Sequence, residues 1–175
     1  QDHKIDAFMI AGLIYSVFVY PLIFILPAYV ANGAPVIFGG GIPLDFGKKI
    51  RGKRIFGDHK TVRGLLAGIL SGSIIAGIEA VFLPFMLVEG IAMSFGAHAG
   101  DLLGSFAKRQ MGLKEGASVK FLDQYLFFFF ALAFAYPFGN MPNASGLLFL
   151  VIITYLLHVS TNKVAYVLKL KKVPW

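Results

Sequence analysis

The residues best suited to chemistry share one face of a predicted helix in an otherwise apolar part of the chain. Ser94, His98, Asp101, Ser105 and Lys108 recur at steps of four, three, four and three residues, a spacing that keeps them on one side of a helix. An ionised group in a membrane-spanning helix costs roughly a few kcal/mol and is rarely kept without a task. Asp101 is therefore the first candidate for a functional residue.

Asp123 supplies a second carboxylate at a similar predicted depth, on the next helix along the chain. Two carboxylates at one membrane level could share Mg²⁺, a hard cation that takes oxygen ligands and needs few from the protein when phosphates supply the rest. Alternatively, each aspartate forms a structural ion pair with Lys108, Arg109 or Lys120. The spacing of these residues does not decide between the two interpretations.

A second set of candidate residues lies between positions 32 and 64, a stretch rich in Gly, Lys and Arg that we predict to be a polar loop. Glycines let backbone N–H groups approach phosphate oxygens, which the cations neutralise, and the start of the following helix favours an anion. The alternative is a polybasic segment that touches anionic lipid headgroups. We favour a nucleotide or phosphate site, with candidate ligands Asn32, Gly39, Gly40, Gly41, Lys48, Lys53, Arg54, Lys60, Thr61 and Arg63.

The composition indicates an all-α integral membrane protein, because 57% of the 175 residues are hydrophobic and only 14% are charged. Soluble domains average about a quarter charged residues. The chain has no cysteine, which excludes disulfides and thiolate metal sites. Its net charge of +7 lies mainly in the predicted loops, so we expect no nucleic-acid partner.

Five apolar segments are long enough to cross a bilayer, for which a helix needs roughly 20 residues. They cover residues 5–31, 65–83, 85–107, 120–137 and 145–168, and the two long connections are the loops 32–64 and 108–119. Pro21 and Pro27 are expected to kink or end the first segment. We treat residues 1–175 as a single membrane-embedded catalytic domain with a glycine-rich, basic loop after its first helix.

The distribution of Lys and Arg predicts the orientation of these helices. Seven lie between residues 48 and 63, four at positions 108, 109, 114 and 120, and three at 169, 171 and 172, whereas the terminus and loops on the opposite side have only Lys4. Basic loops stay in the cytoplasm. The N-terminus is therefore expected outside, with the C-terminus and both long loops cytoplasmic.

Two glycine series repeat at every fourth residue, Gly64, Gly68, Gly72 and Gly96, Gly100, Gly104. Small residues at this spacing let helix backbones approach closely in lipid. We favour packing within one chain over a dimer interface, and the prediction for the oligomeric state is a monomer or a homodimer.

One block of the sequence resembles a known family. It consists of Gly100-Asp101-Leu102, Ser105-x-x-Lys108-Arg109, Lys114 and Asp123, and it is similar to the signature of the CDP-diglyceride synthetase family of CTP-dependent membrane cytidylyltransferases. The His-Gly-Gly element and Asp-Arg pair of the bacterial form are absent, and Asp123-Gln124 stands instead of the pair. The archaeal branch is resembled by Phe38-Gly-Gly-Gly-Ile-Pro-Leu-Asp45, Gly57-Asp-x-Lys60-Thr-Val-Arg63-Gly64, and His158-x-x-x-Asn162.

The resemblance implies a reaction that joins CTP to an isoprenoid ether lipid phosphate, 2,3-di-O-geranylgeranyl-sn-glycerol 1-phosphate. The products are a CDP-activated lipid and pyrophosphate, Mg²⁺ is the cofactor, and the enzyme lies in the cell membrane with its active site facing the cytoplasm. Asp101 and Asp123 become the metal-binding pair. Lys108 and Arg109 join them as catalytic residues, and Ser105 and Lys114 extend the nucleotide-binding surface of the first loop.

Two other functions remain open at this stage. A CTP-dependent polyprenol or lipid kinase attacks the γ-phosphate instead, and releases CDP rather than pyrophosphate. A small proton-coupled transporter would use Asp101 and His98 as a proton relay. The transporter is less favoured, because the sequence has no inverted repeat and its polar groups cluster at one membrane face rather than at the midplane.

Overall fold

The computed structural model describes residues 2–119 and 121–170, with side chains from residue 6 onwards. Lys120 lies outside this part of the chain, as do Lys171, Lys172 and the C-terminal Val-Pro-Trp. The predictions made for these residues lie outside the described part of the chain.

Helices make up most of the described chain. They are α1 (Asp2–Ile14), a π-helical turn (Tyr15–Val19), α2 (Tyr20–Phe38), α3 (Val62–Glu79), α4 (Met86–Gln110), α5 (Leu122–Ala135) with a 3₁₀ turn (Tyr136–Phe138), and α6 (Ala144–Val167). Two short strands, β1 (Lys49–Ile50) and β2 (Lys53–Arg54), pair antiparallel between α2 and α3. We call the end of the bundle with residues 39–61 and 111–119 the loop end.

Three helical stretches are long and apolar enough to cross a membrane, namely Asp6–Phe38, Val62–Glu79 and Ala144–Val167. Leu122–Phe138 is a shorter apolar helix. Helix α4 has 25 residues but carries Glu89, His98 and Asp101 among its apolar ones. The prediction of a helical membrane protein is thus confirmed, while the crossing of the bilayer by all five predicted segments stays a prediction.

The first helix is longer than the sequence predicts, because the chain stays helical to Phe38 and the expected end at residue 31 is wrong. Pro21 and Pro27 are buried inside it. The π-helical turn before Pro21 lets the Tyr20 N–H reach the Tyr15 carbonyl five residues back, a rearrangement that tolerates the missing proline donor. Asn32 therefore lies within α2 and not in the loop.

The glycine series are contacts between helices of this chain, as the favoured interpretation predicts. A Cβ at Gly68 on α3 would lie 2.0 Å from the His98 ring, and one at Gly72 would lie 2.7 Å from the Pro27 carbonyl oxygen of α2. On α4, a Cβ at Gly96 would lie 2.5 Å from the backbone oxygen of Phe130 in α5. The glycines thus allow α3 to approach α2 and α4, and α4 to approach α5.

The buried apolar core joins α2, α4, α5 and the first half of α6. Its members are Phe24, Ile25, Ala28, Ala31, Met86, Met93, Ala97, Phe127, Phe128, Ala131, Ala135 and Leu150. In a soluble protein, full burial of a large apolar side chain contributes roughly 1.5–3 kcal/mol. In lipid, close packing contributes more of the stability. This core holds α4 and α5 side by side, which fixes the two predicted carboxylates relative to one another.

The first loop contains a hairpin that the sequence analysis did not predict. Lys49 pairs with Arg54 and Ile50 with Lys53, and the turn residues Arg51 and Gly52 both have positive φ angles of 51° and 77°. Two positive φ angles are typical of a type I′ hairpin turn. The signal was weak because Arg-Gly is not a common sequence for this turn and each strand has only two residues.

The close approach of α4 and α5 predicts a stability difference between two glycine variants. Gly96→Ala places a Cβ against the backbone of α5, which is unable to move aside as a flexible side chain would. We expect it to lower the stability by about 1–3 kcal/mol. Gly77→Ala is the control, since no atom lies within 4 Å of its added Cβ and alanine favours helix. Equal loss of thermal stability in detergent for both variants would contradict the packing assignment.

Candidate active site at the loop end of the bundle

Asp101 forms an ion pair with Lys60 of the first loop. The Lys60 ammonium donates to Asp101 Oδ2 at 2.5 Å, and the two side chains are 28% and 31% exposed. Asp101 is on α4 and Lys60 immediately precedes the start of α3. The sequence analysis had proposed Lys108, Arg109 or Lys120 as ion-pair partners, and Lys60 had been assigned only to the nucleotide surface.

Asp123 pairs with Lys108, one of the partners that the sequence analysis proposed. The distance from Lys108 Nζ to Asp123 Oδ1 is 2.5 Å, and the same ammonium lies 3.5 Å from the Ala117 carbonyl oxygen. The other carboxylate oxygen of Asp123 accepts from the Val119 backbone N–H at 2.9 Å. The Asp123 carboxylate is therefore oriented by two donors, the Lys108 ammonium of α4 and the Val119 N–H of the loop before α5.

Thr61 fixes the direction in which Lys60 leaves the first loop. Its hydroxyl caps α3 by accepting from the Gly64 N–H at 3.0 Å, and it also accepts from the Gly40 N–H at 3.2 Å. The Leu44 N–H donates to the Lys60 carbonyl at 2.7 Å. Thr61 thus joins the glycine-rich start of the loop to the α3 N-terminus, and its hydroxyl serves the backbone in this structure.

Asp45 is the buried centre of the first loop, and the sequence analysis did not select it as a site residue. Arg54 donates to both of its carboxylate oxygens, at 2.6 and 3.2 Å. The backbone N–H groups of Gly47, Phe56 and Gly57 donate to the same carboxylate at 2.9 to 3.0 Å. A single carboxylate therefore closes the loop from residue 45 to residue 57.

Two opposing effects act on the pKa of Asp45. Burial by itself raises it, but the Arg54 guanidinium and the three backbone N–H groups outweigh burial and hold the pKa well below its usual range. The carboxylate is therefore ionised throughout the physiological pH range. The stability that it gives to the loop is complete above the ordinary aspartate pKa of about 3.9 and declines only as the pH falls below that value.

Arg54 and Lys53, both predicted to bind nucleotide, have protein partners in this structure. Arg54 binds Asp45 and also contacts Asp58 at 2.6 Å. The Lys53 ammonium donates to the Gln110 carbonyl at the end of α4. Gln110 lies about 180° around the α4 axis from Asp101, at 100° per residue, so the hairpin rests on the side of α4 away from Asp101.

A pocket of about 340 Å³ lies between the hairpin and this side of α4. It is lined by Ile50, Arg51, Lys53, Phe106 and Gln110. Because its lining residues are on the far side of α4 from the two carboxylates, it does not coincide with the candidate active site.

The remaining predicted site residues differ in exposure. Ser105 and Arg109 are buried, at 7% and 8% exposure, and Arg109 donates to the Lys114 carbonyl at 3.0 Å. Asn32 and Gly39 are half-buried, whereas the exposed members of the set are Gly40, Gly41, Lys48, Arg63 and Lys114. Gly40 and Gly41 have φ angles of 98° and 84°, which explains the glycines at these two positions.

The polar face of α4 points into the bundle. Ser94 and His98 are buried, at 0% and 5% exposure, and Ser94 donates to the Gly90 carbonyl at 2.8 Å. On α6, the His158 ring stacks on Phe127 with 6.4 Å between ring centroids. The helical spacing thus predicted correctly that these polar residues share one face of α4. Ser94 and His98 pack against Gly72 and Gly68 of α3 and take no part in the two ion pairs.

The two carboxylates are candidate metal ligands, but they do not form a complete protein cage. Across residues 2–119 and 121–170, no group of three His, Asp or Glu side chains converges on a metal position. Mg²⁺ commonly uses one or two protein carboxylates together with substrate phosphates and water. The donor chemistry of Asp101 and Asp123 fits that pattern, since both are partly exposed oxygen donors that already bind a cationic group.

Comparisons with known proteins match most of the chain. The family described as CarS-like, CDP-archaeol synthase, matches residues 14–175. The chain is 47% identical over 159 residues to the CDP-archaeol synthase of Pyrococcus furiosus, covering 87% of this chain and 95% of that protein. With the CDP-archaeol synthase of Methanopyrus kandleri it shares 46% identity over 156 residues, covering 87% and 90%.

A solved structure described as an intramembrane enzyme for archaeal membrane lipids biosynthesis has a similar fold. The TM-score is 0.75 and the sequence identity is 37%, over 81% of this chain and 91% of that chain. The two chains are thus similar in sequence as well as in the arrangement of their helices.

The Asp45 network predicts a pH-dependent loop. We expect Asp45→Asn to increase the hydrogen-exchange rate of peptides from residues 44–60 at least tenfold at pH 7, because a buried ion pair loses one partner. The difference from wild type should shrink as the pH falls below about 4, where the carboxylate of the open loop begins to bind protons that the native carboxylate does not. Asp58→Asn removes only an exposed partner of Arg54 and should change exchange less than threefold. A difference between wild type and Asp45→Asn that is constant down to pH 2 would refute this role.

Proposed function

This chain belongs to the CDP-archaeol synthase family, and we propose that it joins CTP to an isoprenoid ether lipid phosphate at the Lys60–Asp101 and Lys108–Asp123 pairs. The chain is a CTP-dependent cytidylyltransferase of archaeal membrane lipid biosynthesis. The proposal adds the location of the reaction and the specific lipid, 2,3-di-O-geranylgeranyl-sn-glycerol 1-phosphate.

The observation that carries the proposal is that two lysine–carboxylate pairs form on one face of α4 towards the loop end, at Asp101 and at Lys108, which lie about 10 Å apart along the helix. Each carboxylate binds one ammonium at 2.5 Å, and the lysines come from different parts of the chain, the first loop and α4. Two cations and two anions in partly exposed positions can be redistributed when a triphosphate arrives. Such a cluster has the charges that a nucleotide and a divalent cation require together.

The reaction needs charge neutralisation and alignment more than an activated nucleophile. An oxygen of the lipid phosphate, already an anion, attacks the α-phosphorus of CTP. A new P–O bond forms, the bond from the α-phosphorus to the bridging oxygen breaks, and pyrophosphate leaves in line. Lys60 and Lys108 are the groups whose ammonium charges stabilise the phosphate oxygens as charge moves to the leaving group.

Asp101 and Asp123 would hold Mg²⁺ in this proposal, with the triphosphate supplying further oxygen ligands. The bound ion would neutralise phosphate charge and help to orient the reacting groups. For this, Lys60 and Lys108 must transfer from the carboxylates to phosphate oxygens. The lysines therefore serve as counter-ions of the carboxylates before the substrate binds and as counter-ions of the substrate afterwards.

The proposed orientation puts the loop end in the cytoplasm, the N-terminus outside, and all five helical segments across the cell membrane. The seven Lys and Arg residues between positions 48 and 63 support this arrangement. CTP then reaches the carboxylates from water, while the lipid phosphate reaches them from the bilayer. Both ion pairs form within one chain, so we propose that a monomer contains a complete site.

A product assay tests the reaction. Purified enzyme with CTP labelled at the α-phosphorus, Mg²⁺ and the ether lipid phosphate is expected to yield labelled lipid and free pyrophosphate. The same assay with a bacterial ester lipid phosphate should give a lower yield if the isoprenoid ether chains are recognised. Formation of CDP with a newly phosphorylated lipid would instead show the lipid kinase. Absence of any CTP turnover would favour the transporter alternative and refute the proposal.

The counter-ion exchange predicts that metal binding depends on nucleotide. Titration with Mn²⁺, followed by electron paramagnetic resonance, should show at least tenfold tighter binding with a non-reacting CTP analogue than without it. Lys60→Met should improve Mn²⁺ binding in the absence of nucleotide, because Asp101 loses its counter-ion. Asp101→Asn and Asp123→Asn should abolish the nucleotide-dependent Mn²⁺ signal and lower kcat at least a thousandfold, with the thermal stability retained. Near-normal turnover by either purified asparagine variant rules out the metal assignment.

A further inference from the structure

We propose that Glu115 is a positioning residue that joins the second loop, residues 111–119, to the first loop so that Lys60 and Lys108 face the same nucleotide. The sequence analysis did not select Glu115 as a site residue. The inference rests on the proposed nucleotide site, and it assigns to Glu115 a role in placing Lys60 without contact between Glu115 and the substrate.

Glu115 contacts the first loop through both carboxylate oxygens. Oε1 accepts from the Asp58 backbone N–H at 2.8 Å, and Oε2 lies 3.6 Å from His59 Nε2. The preceding residue is Gly57, where a Cβ would lie only 2.4 Å from Glu115 Oε1 and where φ is +93°. A side chain at position 57 would therefore be strained and would also displace the Glu115 carboxylate.

The turn that Glu115 holds leads directly into Lys60. Residues 56 and 57 of this turn are bound on their other side by Asp45, through the Phe56 and Gly57 N–H groups at 2.9 and 3.0 Å. The turn is thus fixed between a carboxylate of its own loop and a carboxylate of the second loop. Without Glu115, the turn keeps its contacts with Asp45 and the hydrogen bond from the Leu44 N–H to the Lys60 carbonyl. It loses its attachment to the second loop, so the position of Lys60 relative to Lys108 is less restricted.

The backbone on either side of Glu115 is held by the two cations at the end of α4. Arg109 donates to the Lys114 carbonyl at 3.0 Å, and Lys108 Nζ lies 3.5 Å from the Ala117 carbonyl. The buried Arg109 side chain therefore fixes the backbone next to Glu115. Through these contacts the position of α4 determines that of the second loop, which in turn fixes the turn before Lys60.

The hairpin is attached to α4 by separate contacts. The Lys53 ammonium and the Gln110 side chain form them, the latter by donating to the Arg54 carbonyl at 3.3 Å. Loss of Glu115 should therefore loosen the turn at residues 57–60 while leaving the hairpin in place. This separation predicts a selective effect on the binding of CTP.

The test compares Glu115→Ala with Glu115→Gln. Alanine removes the acceptor for the Asp58 N–H, which donates to a charged carboxylate in the wild type. We expect about a tenfold higher KM for CTP, with kcat changed less than threefold and the KM for lipid phosphate unchanged, because the contact of Lys60 with phosphate is present in both ground and transition states. Glutamine retains an oxygen acceptor, so its KM for CTP should stay within threefold of wild type.

Asp58→Ala is the matched control. It deletes an exposed side chain of the same turn but keeps the backbone N–H that Glu115 accepts, and its KM for CTP should stay within twofold of wild type. A Glu115→Ala enzyme with an unchanged KM for CTP overturns the proposal. A Glu115→Gln enzyme as defective as Glu115→Ala also overturns it, because glutamine keeps the acceptor for the Asp58 N–H and loses only the charge that faces His59.

Calorimetry separates failure of this inference from failure of the proposed reaction. If the wild type binds CTP but makes no CDP-lipid, the proposed reaction is wrong, and the Kd for CTP still decides the role of Glu115. A tenfold weaker Kd for Glu115→Ala, restored by Glu115→Gln, supports the positioning role. Equal Kd values for wild type and Glu115→Ala refute it whatever the reaction is.

Discussion

The ion pair between Lys60 and Asp101 joins the first loop to α4 in the candidate site. It joins a carboxylate of the apolar helix bundle to the first loop, and this contact favours the position of the loop over that carboxylate. A charge at this depth is tolerated only with a partner or with water, and Asp101 is 31% exposed with an ammonium at 2.5 Å. The loop must therefore deliver Lys60 to one position. The cap at Thr61 and the network of Asp45 both serve that placement.

The packing of α4 against α5 supports the position of Asp101 from within the bundle. Glycines on α4 let α5 approach until a Cβ at Gly100 would lie 2.3 Å from the Leu126 carbonyl oxygen. This close packing sets the distance between the helices that carry Asp101 and Asp123. A close contact between helices thus fixes the elements that carry the two carboxylates, and a network of hydrogen bonds fixes the loop that carries Lys60. Neither could be loosened without changing the relation between the two pairs.

The helical part of this arrangement could be predicted from the sequence, whereas the partners within the loops could not. Periodicity indicates which face of α4 is buried, and the glycine spacing indicates close packing, because both depend on neighbours three or four residues apart. The Lys60–Asp101 pair joins residues 41 positions apart, and several cations could have reached Asp101. The helix end at Phe38 was also not predicted. Proline normally ends a helix, and only the surrounding packing shows that Pro21 and Pro27 are accommodated in α2. Asp45 lies in a loop where Lys and Arg outnumber the acidic residues. Its place in the sequence does not indicate that five N–H groups donate to it.

The charges at the loop end explain why a structural ion pair and a substrate site are not competing interpretations. A carboxylate reserved for a cation must be neutralised while that cation is absent, and a lysine reserved for phosphate must be neutralised while phosphate is absent. Pairing them with each other meets both needs at once, and partial exposure keeps the exchange inexpensive because water solvates the groups as they separate. Asp45 and Arg54 show the contrast: that carboxylate is fully buried and holds five hydrogen bonds, so its separation from Arg54 would leave a charge with no solvent to receive it. The Asp45–Arg54 pair therefore belongs to the framework of the loop, and the two partly exposed lysine–aspartate pairs are the ones that we propose a nucleotide opens.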